Sequence, residues 1–397
     1  MFFVLPFKVD RALKRLPLVT IILISVNVIV CLATFLDIHS IAKVAGFRMD
    51  VNGTWTWFTS MFLHVDPVFH LGGNMYFLWL FGSVVEDAIG RVRYILLYLA
   101  GGLAASLAHG LMVLAFMPQL RNVPAIGASG ALAAVVGVFA VRFYKTNMRL
   151  AYFVWILVFI RYGVWRITSV AGVALWAARE LLSGLIAVSG APSGVANWAH
   201  LGGLAFGIVA SMTFGFVREA DHEYLGDEAA EYAAAGTHSI AAQKYRRLAE
   251  TAPEDPEVLV ASACESAAAG QETPASRDFG KAVGLLSRSG RTGEIVEAYE
   301  RFRISGAPVK LDARTLQTVG SAADAARRYD LAVPLYRELV ERYPASREAE
   351  RAVFRIAHVY LASGMEAEAL QTWAWFTRTY PNSEWNAYAD VRFSASA

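Results

Sequence analysis

Six apolar runs, each close to the length needed to cross a bilayer, all fall before residue 218. They cover roughly residues 17–36, 70–89, 93–116, 129–144, 169–188 and 195–217, where a spanning helix needs about 20 mostly apolar residues. Backbone groups in lipid must be satisfied within the segment, so runs of this kind predict helices. The remaining residues are rich in Ala, Glu and Arg, and the 397-residue chain divides into a membrane half and a water-soluble half. At 56% hydrophobic and 18% charged, the whole is too apolar for an ordinary soluble protein. The expected fold class is all-α: a polytopic six-helix membrane core followed by a soluble α-solenoid.

Basic residues prefer cytoplasmic loops, and their placement gives an orientation. One set of segments holds Lys8, Arg11, Lys14 and Arg15, then Arg91 and Arg93, then Arg142, Lys145, Arg149, Arg161 and Arg166, then Arg218. The opposite loops hold only Lys43, Arg48 and Arg121. Both termini are therefore expected in the cytoplasm, and the second, fourth and sixth spans start at the outer face. Because 17–36 is long enough for a full span, it reads as a retained helix and not as a cleaved signal. The run 150–160 is too short to span before Arg161 interrupts it, and reads as an interfacial connector or a seventh crossing. A formal net charge of +2 gives no case for nucleic acid. Cys31 and Cys264 fall in different halves, which argues against a disulfide framework or a cysteine metal site.

Polar residues inside spans are costly and often functional. The second span opens "HLGGNMYFLWLFG", with His70 and Asn74 one helical turn apart; the fourth opens at Ser129 within "GASG"; the sixth opens "VANWAHLGGLAFG", with His200 a few residues in. These groups all lie near the starts of even-numbered spans, so topology alone puts them on one side at similar depth. Ser129 by itself could simply cap a helix. Beside a base it becomes a nucleophile, and His200 can supply that base once the fourth and sixth spans pack together. Gly203 and Gly207, four residues apart, permit close packing, and Gly127 and Gly130 flank the serine. The Ser129 amide, His70 and Asn74 are the available oxyanion donors. No carboxylate is evidently placed to orient His200, so the expected unit is a dyad. His64 and His109 read as structural.

Other chemistries fit less well. A zinc protease would need H-E-x-x-H, whereas the pair His222-Glu223 lies beyond the last run and is followed by Gly226. The soluble hydrolase elbow fails because Ala131 stands where its last glycine belongs. Asp66 and Asp87 sit at helix ends and do not suit an aspartyl pair. A transporter would show broken helices around a midplane site.

The blocks "FLH" at 62–64, "HLGGNMYFLWLFGSVVED" at 70–87, "GASGALAAVVG" at 127–137 and "AHLGGLAFG" at 199–207 resemble, in order, the signatures of rhomboid intramembrane serine proteases. The resemblance covers roughly residues 15–217. It implies a six-helix core, Ser129 as nucleophile, His200 as general base, and His70, Asn74 and the Ser129 amide around the oxyanion. It also implies a serine endopeptidase that cuts transmembrane protein substrates at or near the outer face of the bilayer, with no cofactor and no metal. A catalytically silent rhomboid-like scaffold that binds membrane clients is the alternative; silent relatives commonly lack the serine or the histidine, and both are present here. There are departures from the family pattern: "HVDPVFH" has one residue more between its histidines, Trp57-Phe58 stands where Trp-Arg is common, and Arg179 and Glu180 put charge into the fifth span. The expected location is the bacterial plasma membrane.

Beyond Arg218, residues 218–237 read as an acidic linker and 238–397 as helical repeats, with 1–16 as a short cytoplasmic lead into the 17–217 membrane domain. Tyr299, Tyr336 and Trp373 recur every 37 residues, followed by Pro308, Pro344 and Pro381. Such a period indicates helix pairs sharing a core and resembles tetratricopeptide repeats. A cytoplasmic protein partner is expected there.

Overall fold

The computed structural model describes residues 2–49, 53–156, 159–190 and 195–387. Positions 157 and 158 of the run 150–160, and 388–397 of the repeat region, lie outside the described residues. Two compact units divide between residues 221 and 222.

The first unit runs β1 (Phe2–Val9), α1 (Leu18–Thr34), α2 (Ile38–Ala45), α3 (Pro67–Ile89), α4 (Arg91–Phe116), α5 (Ser129–Arg142), β2 (Asn147–Ile156), β3 (Phe159–Thr168), α6 (Ser169–Val188) and α7 (Asn197–Thr213). All six apolar runs are helical. Among the described residues, four helices are long and apolar enough to cross a membrane, or five when α7 and the helix after it are taken as one span bent by 68°. The exception is α5. Its 14 residues extend about 21 Å, less than the ~30 Å hydrocarbon layer, so at least one of its ends lies within the apolar depth. It is apolar on every side and buried from 130 to 140, as expected for a helix with no face toward solvent or lipid.

A carboxylate fixes the start of α1. Glu86, near the end of α3, accepts hydrogen bonds from the amides of Val19 and Thr20 at 2.9 and 2.7 Å and from Thr20 Oγ1 at 2.8 Å. Pro17 at the N-cap supplies no side-chain cap, and the negative charge of Glu86 meets the exposed amides and the positive end of the helix dipole. Glu86→Ala leaves those buried donors unpaired and is expected to cost about 3 kcal/mol. Thermal unfolding of the detergent-solubilised protein checks this.

The all-α expectation needs correction. β2 and β3 pair antiparallel, and β1 pairs with β2 to give a three-stranded sheet in the order β1-β2-β3. The described residues of the run 150–160 thus lie in strands, not in a helical or irregular connector, and the segment 1–16 supplies β1. An unbroken apolar run carries no period that separates strand from helix; its aromatic and β-branched residues favour the strand. The pairing also uses Gly163, where a Cβ would stand 2.7 Å from Tyr152 Oη: Tyr152 lies across it and stacks on Trp165 at 4.5 Å. Arg149 and Arg166 face each other across the ladder, and Asp10 answers both, at 2.7 and 3.8 Å.

The segment read as a linker is helical as well: α8 (Phe216–Ala234) follows Gly215, whose φ of 75° makes the turn out of α7. The second unit continues with α9 (His238–Thr251), α10 (Pro256–Ala268), α11 (Glu272–Arg288), α12 (Thr292–Ile304), α13 (Ala313–Ala325), α14 (Tyr329–Arg342), α15 (Arg347–Ala362) and α16 (Glu366–Thr379). Tyr299, Tyr336 and Trp373 sit in α12, α14 and α16, the second helices of three successive pairs. Each pair turns on a left-handed residue at the same 37-residue interval: Gly290, Arg327 and Gly364 have φ of 70°, 58° and 74°. The following amide closes each turn, Arg291 on Leu286 O, Arg328 on Ala323 O and Met365 on Tyr360 O at 2.8–3.0 Å. Arg327 bears a Cβ where its two counterparts bear none. Arg327→Gly is therefore expected to stabilise α13 and α14 by about 0.5–1 kcal/mol. Hydrogen exchange in the full-length protein would show this as roughly two- to fivefold slower amides in those helices.

Candidate active site

Ser129 is the first residue of α5, and the chain reaches it through Gly127 at φ 123°. The helix has no side-chain cap, so the Ser129 hydroxyl is not consumed in capping. The Gly127 amide donates to Ser60 O at 2.8 Å, which anchors the approach. A Cβ on Gly127 would stand 2.6 Å from His70 Nε2 and 3.8 Å from Ser129 Oγ. Glycine is required here twice over, for the backbone angle and for the ring beside it.

His70 projects from the first turn of α3, a widened π-helical turn over Pro67–Leu71. Asp66 caps that turn, accepting from the amides of Val68, Phe69 and His70 at 3.3, 2.5 and 3.1 Å. Those amides hold the half-buried Asp66 carboxyl below the usual carboxylate range. His70 Nδ1 is buried without a hydrogen-bond partner among the described residues.

His64 is not the isolated structural residue that its position in the sequence suggests. Its ring meets that of His70 edge to face at 4.9 Å, and its Nε2 accepts from Asn74 Nδ2 at 3.1 Å. Because an amide nitrogen can only donate, the proton of a neutral His64 sits on Nδ1, which faces Phe62 O at 3.3 Å. One N–H of Asn74 is thus spent on His64. Burial, with the neighbouring His70, pushes His64 down to about 4. The folded state therefore refuses a proton that the unfolded chain accepts below its ordinary value of about 6.5. Stability is full above that value and falls as pH drops toward 4, by about 2 kcal/mol between pH 6.5 and 5. Thermal midpoints at pH 7 and 5 should differ less in His64→Gln than in wild type.

His200 lies in the first turn of α7, and here the structure departs most from the sequence reading. Its Nδ1 is 2.8 Å from Glu180 Oε2, a carboxylate on α6. Asn197 Nδ2 donates to the same oxygen at 2.8 Å, and Arg179 Nη1 donates to Oε1 at 2.8 Å. Glu180 is 1% exposed. His200 thus has the carboxylate partner that the dyad reading lacked. The helices run beside each other, with Gly184 on α6 leaving room for Trp198 and Asn197 and with Trp176 6.0 Å from the His200 ring. The charge in mid-span was the available signal, since a buried ionisable group in a membrane demands a partner.

Glycines bring α5 and α7 into direct backbone contact. A Cβ on Gly203 would lie 2.2 Å from Gly130 O, and one on Gly207 would lie 2.0 Å from Ala134 O. A Cβ on Gly130 would stand 3.8 Å from Ala199 Cβ, so the chain neighbours of Ser129 and His200 face each other. His70 and His109 both lie within electrostatic reach of His200. A hydroxyl, an imidazole with one nitrogen tied to a carboxylate, and the His70 ring thus lie on turns that face one another at one end of the helices.

Residues 51–216 match the family model described as the Rhomboid domain. The chain is 36% identical over 83 residues to rhomboid protease GluP of Bacillus subtilis, an alignment covering 21% of this chain and 15% of the relative. It is 29% identical over 155 residues to the presenilin-associated rhomboid-like protein, mitochondrial, of Mus musculus, covering 38% and 35%. It is 32% identical over 152 residues to rhomboid-like protein 11, chloroplastic, of Arabidopsis thaliana, covering 38% and 49%. The chain thus spans less than half the length of each of these relatives.

Proposed function

We propose that the rhomboid domain of this multi-pass membrane protein is an intramembrane serine endopeptidase, with Ser129 as nucleophile and His200 as general base. Ser129 Oγ attacks the scissile carbonyl as its proton passes to His200 Nε2, and the imidazolium returns that proton to the leaving amine. Water then hydrolyses the acyl-enzyme by the same relay. The Ser129 amide, His70 and the remaining Asn74 N–H stand as donors to the oxyanion. The observation that carries this reading is the approach of Gly130 to Ala199, which sets the serine turn against the histidine turn beside the His70 ring.

The substrates are transmembrane proteins cut at or near the outer face of the bilayer, with both termini of this chain in the cytoplasm of a bacterial cell. The helix pairs between His238 and Thr379 form a tetratricopeptide-like solenoid that holds a cytoplasmic protein partner or a substrate's cytoplasmic tail. Deleting residues 219–397 should lower cleavage several-fold only for substrates that bear such a tail.

Incubating the purified protein with single-span substrates, in wild type, Ser129→Ala and His200→Ala, tests the reading. Cleavage by wild type alone supports it. Client binding without cleavage or labelling by a serine-reactive probe would favour the silent scaffold.

A further inference from the structure

Glu180 is buried just past the middle of a helix read as membrane-spanning, where an unneeded charge carries a heavy cost. We propose that Glu180 is the positioning residue of His200, holding its Nδ1–H so that Nε2 faces the serine; this rests on the serine-protease reading above. An ionised Glu180 sets this polarity. Arg179 Nη1 and Asn197 Nδ2 each donate to it, one to each oxygen, and because an ionised carboxylate can only accept, His200 Nδ1 is the donor of the third bond. A neutral imidazole with its proton on Nδ1 keeps the Nε2 lone pair free, which is the form a general base needs. When His200 takes the serine proton, its positive charge forms 2.8 Å from an ionised carboxylate. Arg179 balances the resting charge: its side chain is 71% exposed while that of Glu180 is 2% exposed, so the pair is neutral and its cation reaches outward.

The charged and titratable groups facing His200 come from three helices: Glu180 and Arg179 on α6, His70 on α3 and His109 on α4. Among these, Glu180 is the group that favours a protonated His200. Removing its charge therefore moves the acid limb of the pH–rate profile to lower pH.

The test compares wild type, Glu180→Gln, Glu180→Asp and Glu180→Ala in cleavage of a single-span substrate across pH. In Glu180→Gln, kcat should fall roughly 10²- to 10⁴-fold with KM changed less than about threefold. The acid limb should move down by about one unit or more, and Glu180→Asp should recover part of both effects. An unchanged limb, with the loss confined to KM or to thermal stability, would reduce Glu180 to a structural residue and overturn the inference. Wild type that neither cleaves nor reacts with a serine probe would instead sink the protease reading. Should the variants not fold, NMR of isotope-labelled histidine nitrogens in wild type gives the answer, with His200→Ala identifying the signal. A proton on Nδ1 of His200 at neutral pH supports the inference, and a proton on Nε2 alone overturns it.

Discussion

Ser129→Ala is expected to lower cleavage by roughly 10⁴-fold or more while leaving the thermal midpoint within about a degree of wild type. The two effects separate because, on the proposed mechanism, the hydroxyl carries chemistry without carrying structure. Helix α5 has no side-chain cap to lose, and its packing against α7 runs through Gly130 and the residues after it. Losing one oxygen from a half-buried first-turn residue costs little stability, whereas losing the nucleophile removes the covalent route altogether. His200→Ala should cause a loss of similar size, and the double variant should be little worse than either alone, since groups that act as one unit are not additive. The assay is cleavage of a single-span substrate in proteoliposomes, beside thermal unfolding of the same preparations.

Gly207→Ala should do the reverse, removing structure and taking activity with it. The added Cβ would lie 2.0 Å from Ala134 O and 2.9 Å from Ala134 C, both backbone atoms of the facing helix. No side chain can rotate to make room, so α5 and α7 must separate, at a cost of about 3 kcal/mol or more. That corresponds to a fall in thermal midpoint on the order of 10 °C, with Ser129 drawn away from His200. Gly73→Ala is the contrast. It faces open space in α3, where a Cβ would meet nothing within 4 Å, and the change should be neutral or stabilising by up to about 1 kcal/mol. Two glycines of the same motif class, in "HLGGN" and "HLGGLAFG", thus give opposite signs.

The helices were legible because lipid removes the ambiguity of an apolar run: a stretch of span length has to satisfy its own backbone. That the turns bearing Ser129, His70 and His200 share one end of the helices was legible through topology, since alternate helices start on the same side. Three features were not. The paired strands β2 and β3 fall where an apolar run is shorter than a span, and there the constraint of self-satisfaction lapses and the strand is equally good. Glu180 could be seen as an expensive charge, but its partner sits 20 residues away on the neighbouring antiparallel helix, and nothing in the spacing names it. His64 was hidden because its bond to Asn74 depends on how the loop before α3 folds back, and a loop path has no periodicity to read. In the second unit, the 37-residue recurrence of aromatic residues pointed to the paired helices, while the left-handed turn at Arg327 was masked because glycine, the usual marker, is missing.

The most direct measurement is to react the detergent-solubilised protein with a serine-reactive phosphonate and to locate the adduct by mass spectrometry, in wild type and in His200→Ala. A single adduct on Ser129 in wild type, lost or greatly slowed in His200→Ala, is the expected result. An adduct on another serine, or cleavage that persists in Ser129→Ala, would contradict a nucleophile at the start of α5.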